Sequence, residues 1–265
     1  MKMILLAWIV YAVAYNLALI RKPPRSKKVS PASRGLGDRF HLLIVGATGG
    51  TGRQLVRQAL EQGHEVTAFV RNPQRLKMEH ANLRIVQGDV LDYASVEAAM
   101  RGQNAVLCAL GHKRFFGPTT ILSRGTENIM RAMKQSGASR LICESSLGVG
   151  DAVGRLGLLA TLLFVPLILP FYFWDRVRQE ALIADNNDIN WVIVRPATLT
   201  NGPARGDYRH GFEVGSYIWP SRVSRADVAD FMLKQLNDNT YAGTAPGICY
   251  YITATKLPCR CEQEA

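Results

Sequence analysis

The stretch Gly46-Ala47-Thr48-Gly49-Gly50-Thr51-Gly52 constrains what this 265-residue chain can fold into more than any other. It follows the continuously apolar run HLLIV (41–45) and precedes a segment in which Leu55, Val56, Ala59 and Leu60 share one helical side. A second strand-like run, EVTAFV (65–70), comes next. A short unbroken apolar run is what a strand buried on both faces looks like, so the order reads strand, glycine turn, helix, strand. Gly46, Gly49 and Gly52 permit a tight turn, close backbone approach to a pyrophosphate and close packing of helix on strand. The N-terminus of the helix then favours the anion. In that setting the glycines point to dinucleotide binding.

The end of the second strand selects the cofactor. A site for NAD places an acid there to hold the ribose 2′-hydroxyl. This chain has Arg71 and Arg75 instead, with no acid between Val66 and Met78. Guanidinium groups suit a 2′-phosphate, and the expected cofactor is NADPH.

Strand and helix patterns continue to alternate. NLRIVQGDV, NAVLCALG, SRLICESSLG and INWVIVRP read as strands; YASVEAAMRG, a long helix from Pro118 to Gly137, and RVRQEALIADNN lie between them. Regular alternation with short connections predicts an α/β, Rossmann-like doubly wound parallel sheet over residues 40–256, with 257–265 as a tail.

The leader is of another kind. Met3–Ile20 holds no charge and is just long enough, at about 1.5 Å per residue, to span a ~30 Å hydrocarbon core. It runs straight into Arg21-Lys22, without the small-residue cleavage site of a secretory signal. The expectation is an uncleaved transmembrane helix over residues 1–21, followed by a basic, proline-containing linker over 22–39. An organelle transit peptide is the alternative, although that would be amphipathic. Cations at 21, 22, 25, 27 and 28 against Lys2 alone upstream place the folded domain on the cytoplasmic face, or its stromal or matrix equivalent. Of the net charge of +11, residues 1–40 carry +7, from eight Lys/Arg against Asp38. The basicity belongs to the tether rather than to a nucleic-acid face, and no nucleic-acid partner is expected.

A second oily run, Leu156–Trp174, has nineteen uncharged residues. Pro166 and Pro170 interrupt it, and a span there would split the domain. It reads as a lid, a dimer face or a segment lying in the bilayer surface. Membrane lipid is therefore an expected partner of residues 3–20, with 156–174 as a second candidate contact. Cys108 and Cys143 read as small core residues, and Cys259-x-Cys261 lacks a second ligand pair, so no metal site is expected.

Taken with GATGGTG, VRNPQRL, GDV, ESSLGVGD and SRADVADFML, the chain resembles the atypical short-chain dehydrogenase/reductases. The likeness is to the NmrA-like NAD(P)H-binding group, closest to flavin reductase/biliverdin reductase B and its bacterial relatives, over about residues 40–255. The resemblance implies that Thr48, Gly49, Gly50 and Thr51 meet the pyrophosphate and that Asp89 and Val90 border the adenine. It also implies that Ala109, Leu110 and Gly111 line the ribose, while Ser145, Ser146, Pro196, Ala197 and Thr198 flank the nicotinamide. Many members carry a Tyr-x-x-x-Lys pair before a helical glutamate. Here the glutamate is Glu180 and the pair reads Tyr172-x-x-x-Arg176. Either Tyr172 and Arg176 are catalytic, or Tyr172 ends the oily run and Arg176 sits on a solvated helix face, with Ser146 or water supplying the proton.

Two functions fit. One is a membrane-anchored NADPH-dependent oxidoreductase that transfers hydride to a small apolar acceptor, conjugated or carbonyl, of flavin, quinone or tetrapyrrole type. The other is a non-catalytic NADPH-binding accessory subunit or assembly factor of a membrane complex. Sugar-nucleotide epimerase or dehydratase chemistry ranks lower, because it requires an intact Tyr/Lys pair.

Overall fold

The computed structural model describes residues 2–22, 39–112 and 117–251. The basic linker, apart from Lys22 and Arg39, and the tail with Cys259 and Cys261 lie outside the described residues.

The apolar runs form the central strands. β1 (His41–Val45) pairs in parallel with β2 (Glu65–Val70) and β4 (Ala105–Cys108), in the register Leu42↔Val66 and Leu42↔Ala105. β3 (Leu83–Gln87) flanks β2, while β5 (Arg140–Glu144) and β6 (Asn190–Pro196) extend the other side, all parallel. Alternate side chains point to opposite faces. Leu42 and Ile44 join one buried cluster with Leu55 and Val56 of α2 (Gly50–Glu61), whereas Leu43 and Val45 join Ile129 and Met133 of α4 (Ile121–Ser136) on the other face. α3 (Tyr93–Met100) packs beside α4. A sheet covered on both sides by helices is the Rossmann-like doubly wound arrangement.

Downstream of β6 the chain adds pieces that its sequence pattern had not separated. The sheet gains β10 (Gly247–Cys249) in parallel and then β8 (Arg209–Gly211) antiparallel at the edge, giving the order β3-β2-β1-β4-β5-β6-β10-β8. A separate parallel pair joins β7 (Thr198–Thr200) to β9 (Arg222–Ser224). α7 (Arg225–Lys234) packs on α2, and its N-cap is Ser224, whose hydroxyl accepts from the Asp227 N–H at 3.0 Å.

α4 begins at Ile121 rather than Pro118. Its start is fixed from far away: the Asp175 carboxylate accepts from the Leu122 and Ser123 N–H groups at 2.9 and 3.2 Å, replacing a local cap. Asp175 lies on α6 (Pro170–Ala184), which begins six residues ahead of the segment RVRQEALIADNN.

The two oily segments meet. The expected membrane span is α1 (Lys2–Leu19), which packs against the π-turn stretch Ala160–Phe164, α5 (Val165–Ile168) and α6. Leu19 is fully buried. The Tyr15 hydroxyl donates to the Pro170 carbonyl at 2.6 Å, and the Asn16 amide donates to the Thr161 carbonyl at 2.8 Å. Thus α1 does not stand apart from the domain. Among the described residues no single helix is long and apolar enough to cross a membrane. Ala160–Ile168 and Pro170–Ala184 together reach that length and composition, but they bend by 95° at the break between them.

Candidate functional site

Strand order reverses between β1 and β4, and a cleft opens there at the C-terminal ends of the strands, where ligands bind in sheets of this kind. Gly46 sits at φ 82°, a left-handed backbone conformation. A Cβ on it would lie 2.3 Å from the Ala109 carbonyl oxygen, so the loop presses directly on the end of β4. A Cβ on Gly52 would lie 2.1 Å from the Gly46 carbonyl oxygen, which fixes the close packing of helix on strand. Gly49 is the N-cap of α2, which has neither a side-chain cap nor an acid in its first turn. The N–H groups there are left for an external anion.

A cavity of about 1300 Å³ extends from this loop. The sequence-predicted residues Gly46, Thr48, Gly49, Gly50 and Thr51 line one end, with Arg71 and Arg75 at the end of β2 and Asp89 and Val90 after β3. Ala109, Leu110 and Gly111 line its middle with Ser145, Ser146, Pro196, Ala197 and Thr198. Tyr172 and Arg176 form part of the same wall, and only Gly52 of the predicted set lies behind it. The far end is apolar, formed by Leu156, Leu159, Phe164, Val165, Leu169 and Phe173. The volume exceeds the roughly 300–1,000 Å³ typical of small-molecule sites, enough for a dinucleotide and a second molecule.

The Tyr172–Arg176 wall is tightly built. Arg176 is only 3% exposed, which excludes the solvated helix face. Its Nη2 donates to the Tyr172 hydroxyl at 2.6 Å and to the Leu110 carbonyl at 2.9 Å. Its Nη1 donates to the Glu144 carbonyl at 2.5 Å and the Gln179 Oε1 at 2.9 Å, and its Nε completes a fork on the phenol at 3.2 Å. Five N–H donors thus meet protein acceptors, and the guanidinium spans the ends of β4 and β5. Burial opposes its charge most strongly, but Tyr172, Cys143 and Glu144 together outweigh that and hold Arg176 above the usual arginine range. The His112 ring lies edge-on to Tyr172, with centroids 5.0 Å apart.

The two serines differ. The Ser145 hydroxyl donates to Glu180 at 2.5 Å, and Glu180 also pairs with the buried Arg195, which reaches Asp151. Ser145 therefore supports the floor. The Ser146 hydroxyl, half-buried in the cavity wall, donates to the Leu147 carbonyl at 2.8 Å.

Glu144, His112 and Arg225 are among the cavity residues that had no role in the sequence reading. The Glu144 carboxylate is buried beneath the glycine loop and accepts from the Thr51 hydroxyl at 3.0 Å. Burial raises its pKa, against the pull of Arg176, Thr51 and Arg225. The Arg225 side chain covers Gly50, where an added Cβ would come within 2.4 Å of it, and its Nη1 donates to Asn201 at 2.6 Å. Its approach to the loop is the signal carried by Gly50, legible only once α7 is docked on α2.

The profile of the NAD(P)H-binding family matches residues 46–239. The chain belongs to that family. This NAD(P)H-binding protein is 30% identical to an uncharacterized chloroplastic protein of Arabidopsis thaliana, over 74% of its own length and 71% of the relative's. It is 28% identical to the chloroplastic protein TIC 62 of Pisum sativum and 32% identical to the photosystem II assembly factor Ycf39 of Synechocystis. Those matches cover 72% and 42% of this chain but only 39% and 35% of the relatives. Among solved structures, a Rossmann-fold NAD(P)-binding family protein from Shigella flexneri superposes with a TM-score of 0.61 at 27% identity, covering 83% of this chain and 98% of the other. Both the Rossmann fold and the NAD(P)H-binding family, expected from the sequence, hold for this protein.

Proposed function

We propose that the protein is a membrane-associated, NADPH-dependent reductase that delivers hydride to a small apolar acceptor, conjugated or carbonyl in character. The observation that carries this reading is the continuity of one cavity from the glycine loop to the apolar wall of 156–173. A dinucleotide fits the loop end, since the glycine cradle and the uncapped start of α2 leave room and donors for a pyrophosphate. Arg71 and Arg75, both exposed at the end of β2, would hold a 2′-phosphate. When bound, the nicotinamide supplies the hydride, and the protein's part is placement and protection. Ser146, Pro196, Ala197 and Thr198 would flank that ring. The Tyr172 hydroxyl, fixed by Arg176, would hold the proton that the reduced acceptor takes up. The exposed side of residues 3–20 is proposed to lie in lipid, with the folded domain on the cytoplasmic or equivalent face. The chloroplastic and photosystem relatives are compatible with a membrane setting.

The test is NADPH oxidation by the purified full chain with a flavin, a quinone and a carbonyl acceptor, each with NADH as control. Turnover with NADPH supports a reductase. Tight binding without turnover favours the second reading, an NADPH-binding accessory subunit or assembly factor of a membrane complex. That reading draws on the relative described as an assembly factor. It also draws on Arg176, whose five donors already meet protein atoms and leave none for a bound cofactor.

A further inference from the structure

Residues Tyr217, Ile218 and Trp219 are 59%, 65% and 64% exposed, yet they are not held loosely. The Ser216 hydroxyl oxygen accepts from the Ile218 and Trp219 N–H groups at 3.2 and 3.1 Å. The Ser216 N–H donates to the Arg155 carbonyl at 2.9 Å, and the Leu158 N–H donates to the Ile218 carbonyl at 3.2 Å. The loop is thus fastened to the start of the oily segment, which is in turn covered by α1. These elements form one continuous apolar platform, with Leu5, Leu6, Leu158 and Leu167 all more than half exposed. Isolated apolar side chains need no explanation, but a braced, contiguous set marks a docking surface.

Three side chains belong to both surfaces. Leu159, Phe164 and Ile218 line the cavity and are at the same time 64%, 44% and 65% exposed, Leu159 and Ile218 beside the exposed Leu158, Tyr217 and Trp219 in the chain. The apolar end of the cavity therefore has its mouth on the platform. We infer that this mouth is a portal opening into the hydrocarbon of a bilayer, through which a membrane-dissolved acceptor with a long apolar tail reaches the nicotinamide end. The inference rests on the reductase reading and names its acceptor class as a lipid-soluble quinone-like compound. A bilayer is the occupant that matches the charge pattern. The uncharged stretch of residues 3–20 is followed directly by cations at 21, 22, 25, 27 and 28, suited to anionic headgroups. Trp174, Tyr217 and Trp219 supply the amphipathic rings favoured at the headgroup level.

The test uses the full chain on phosphatidylcholine/phosphatidylglycerol vesicles. With brominated acyl chains in the vesicles, the wild type should show a quenched tryptophan component that Trp219→Phe lacks. In parallel, NADPH oxidation is measured with a tail-less benzoquinone in solution and with an isoprenoid-tailed benzoquinone in the vesicles. Tyr217→Ser/Trp219→Ser should leave the soluble rate unchanged and lower the vesicle rate at least about tenfold, since surface insertion scales with buried apolar area. An unquenched Trp219 would overturn the portal and leave a protein partner as what covers the platform. Equal rates for the double variant and the wild type on both quinones would also overturn it. The reductase reading fails, and the portal with it, if the wild type oxidises no NADPH with either quinone. The portal alone fails if the soluble quinone is reduced and the vesicle-borne one is not.

Discussion

Arg176 grips the hydroxyl of Tyr172, one helical turn away on α6, through both Nη2 at 2.6 Å and Nε at 3.2 Å. The same guanidinium closes on the carbonyls of Leu110 and Glu144. The phenol is therefore positioned by the backbone ends of β4 and β5 rather than by its own rotamer preference.

If Tyr172 supplies the proton, Tyr172→Phe lowers turnover roughly 100-fold, the usual weight of a general acid. NADPH affinity should stay near the wild-type value, because the ring itself remains. Single-turnover NADPH oxidation checks the first expectation and fluorescence titration of NADPH the second. An unchanged rate removes Tyr172 from the chemistry.

Arg176→Met carries a structural cost. The Leu110 and Glu144 carbonyls would face an apolar chain, at about 1–3 kcal/mol for each orphaned acceptor. Urea unfolding should show this as a lower midpoint with an unchanged slope. Arg176→Lys should recover part of the loss, since an ammonium has fewer and less planar donors.

Arg71→Ala with Arg75→Ala should weaken NADPH binding by tenfold or more and barely change NADH binding. Each charge-assisted contact contributes about 1.5–3 kcal/mol. Equal losses for both nucleotides in calorimetric titrations would place the 2′-phosphate elsewhere.

Asp227 makes the fold acid-sensitive. Burial would raise its pKa, but hydrogen bonds from Tyr250, the Gly206 and Arg205 N–H groups and Ser224 prevail and lower it. A carboxyl with a depressed folded-state pKa contributes stability that is present above its unfolded value of about 3.9 and is lost as pH falls through the lower folded value. Unfolding midpoints followed from pH 7 downward should therefore fall steeply below about pH 4 for the wild type, and less steeply for Asp227→Asn.

Removing residues 1–38 should release the chain from membranes through salt and carbonate washes. It should also lower the melting temperature, because it withdraws the fully buried Leu19 and the Tyr15 bond to Pro170. Burial of one such leucine is worth about 1.5–3 kcal/mol. A truncated chain with the full-length melting temperature would mean that the contacts of α1 do not stabilise the domain.

The glycine turn, its flanking strands and the parallel sheet were legible because each is written in local pattern: apolar runs of fixed length, and glycines where a side chain would strike Ala109 or Gly46. Gly137 also marked a helix end correctly. What escaped is encoded over long separations. Asp175 caps a helix more than fifty residues upstream, and Arg225 meets Gly50 across the α2–α7 packing. The strands β7 to β10 have three residues each, too few for a period-two pattern to register. α1 looked independent because uniform apolarity says nothing about which face will be covered.

The antiparallel strand β8 has a consequence for solution behaviour. It ends the sheet with three residues, Arg209-His210-Gly211, and the His210 ring packs against Phe231 and Tyr241. An edge that short, carrying an arginine, offers an incoming strand almost no ladder to extend. Self-templated aggregation along that side of the sheet is blocked by geometry, so a preparation stripped of detergent should clump through its oily helices and not by adding strands at β8.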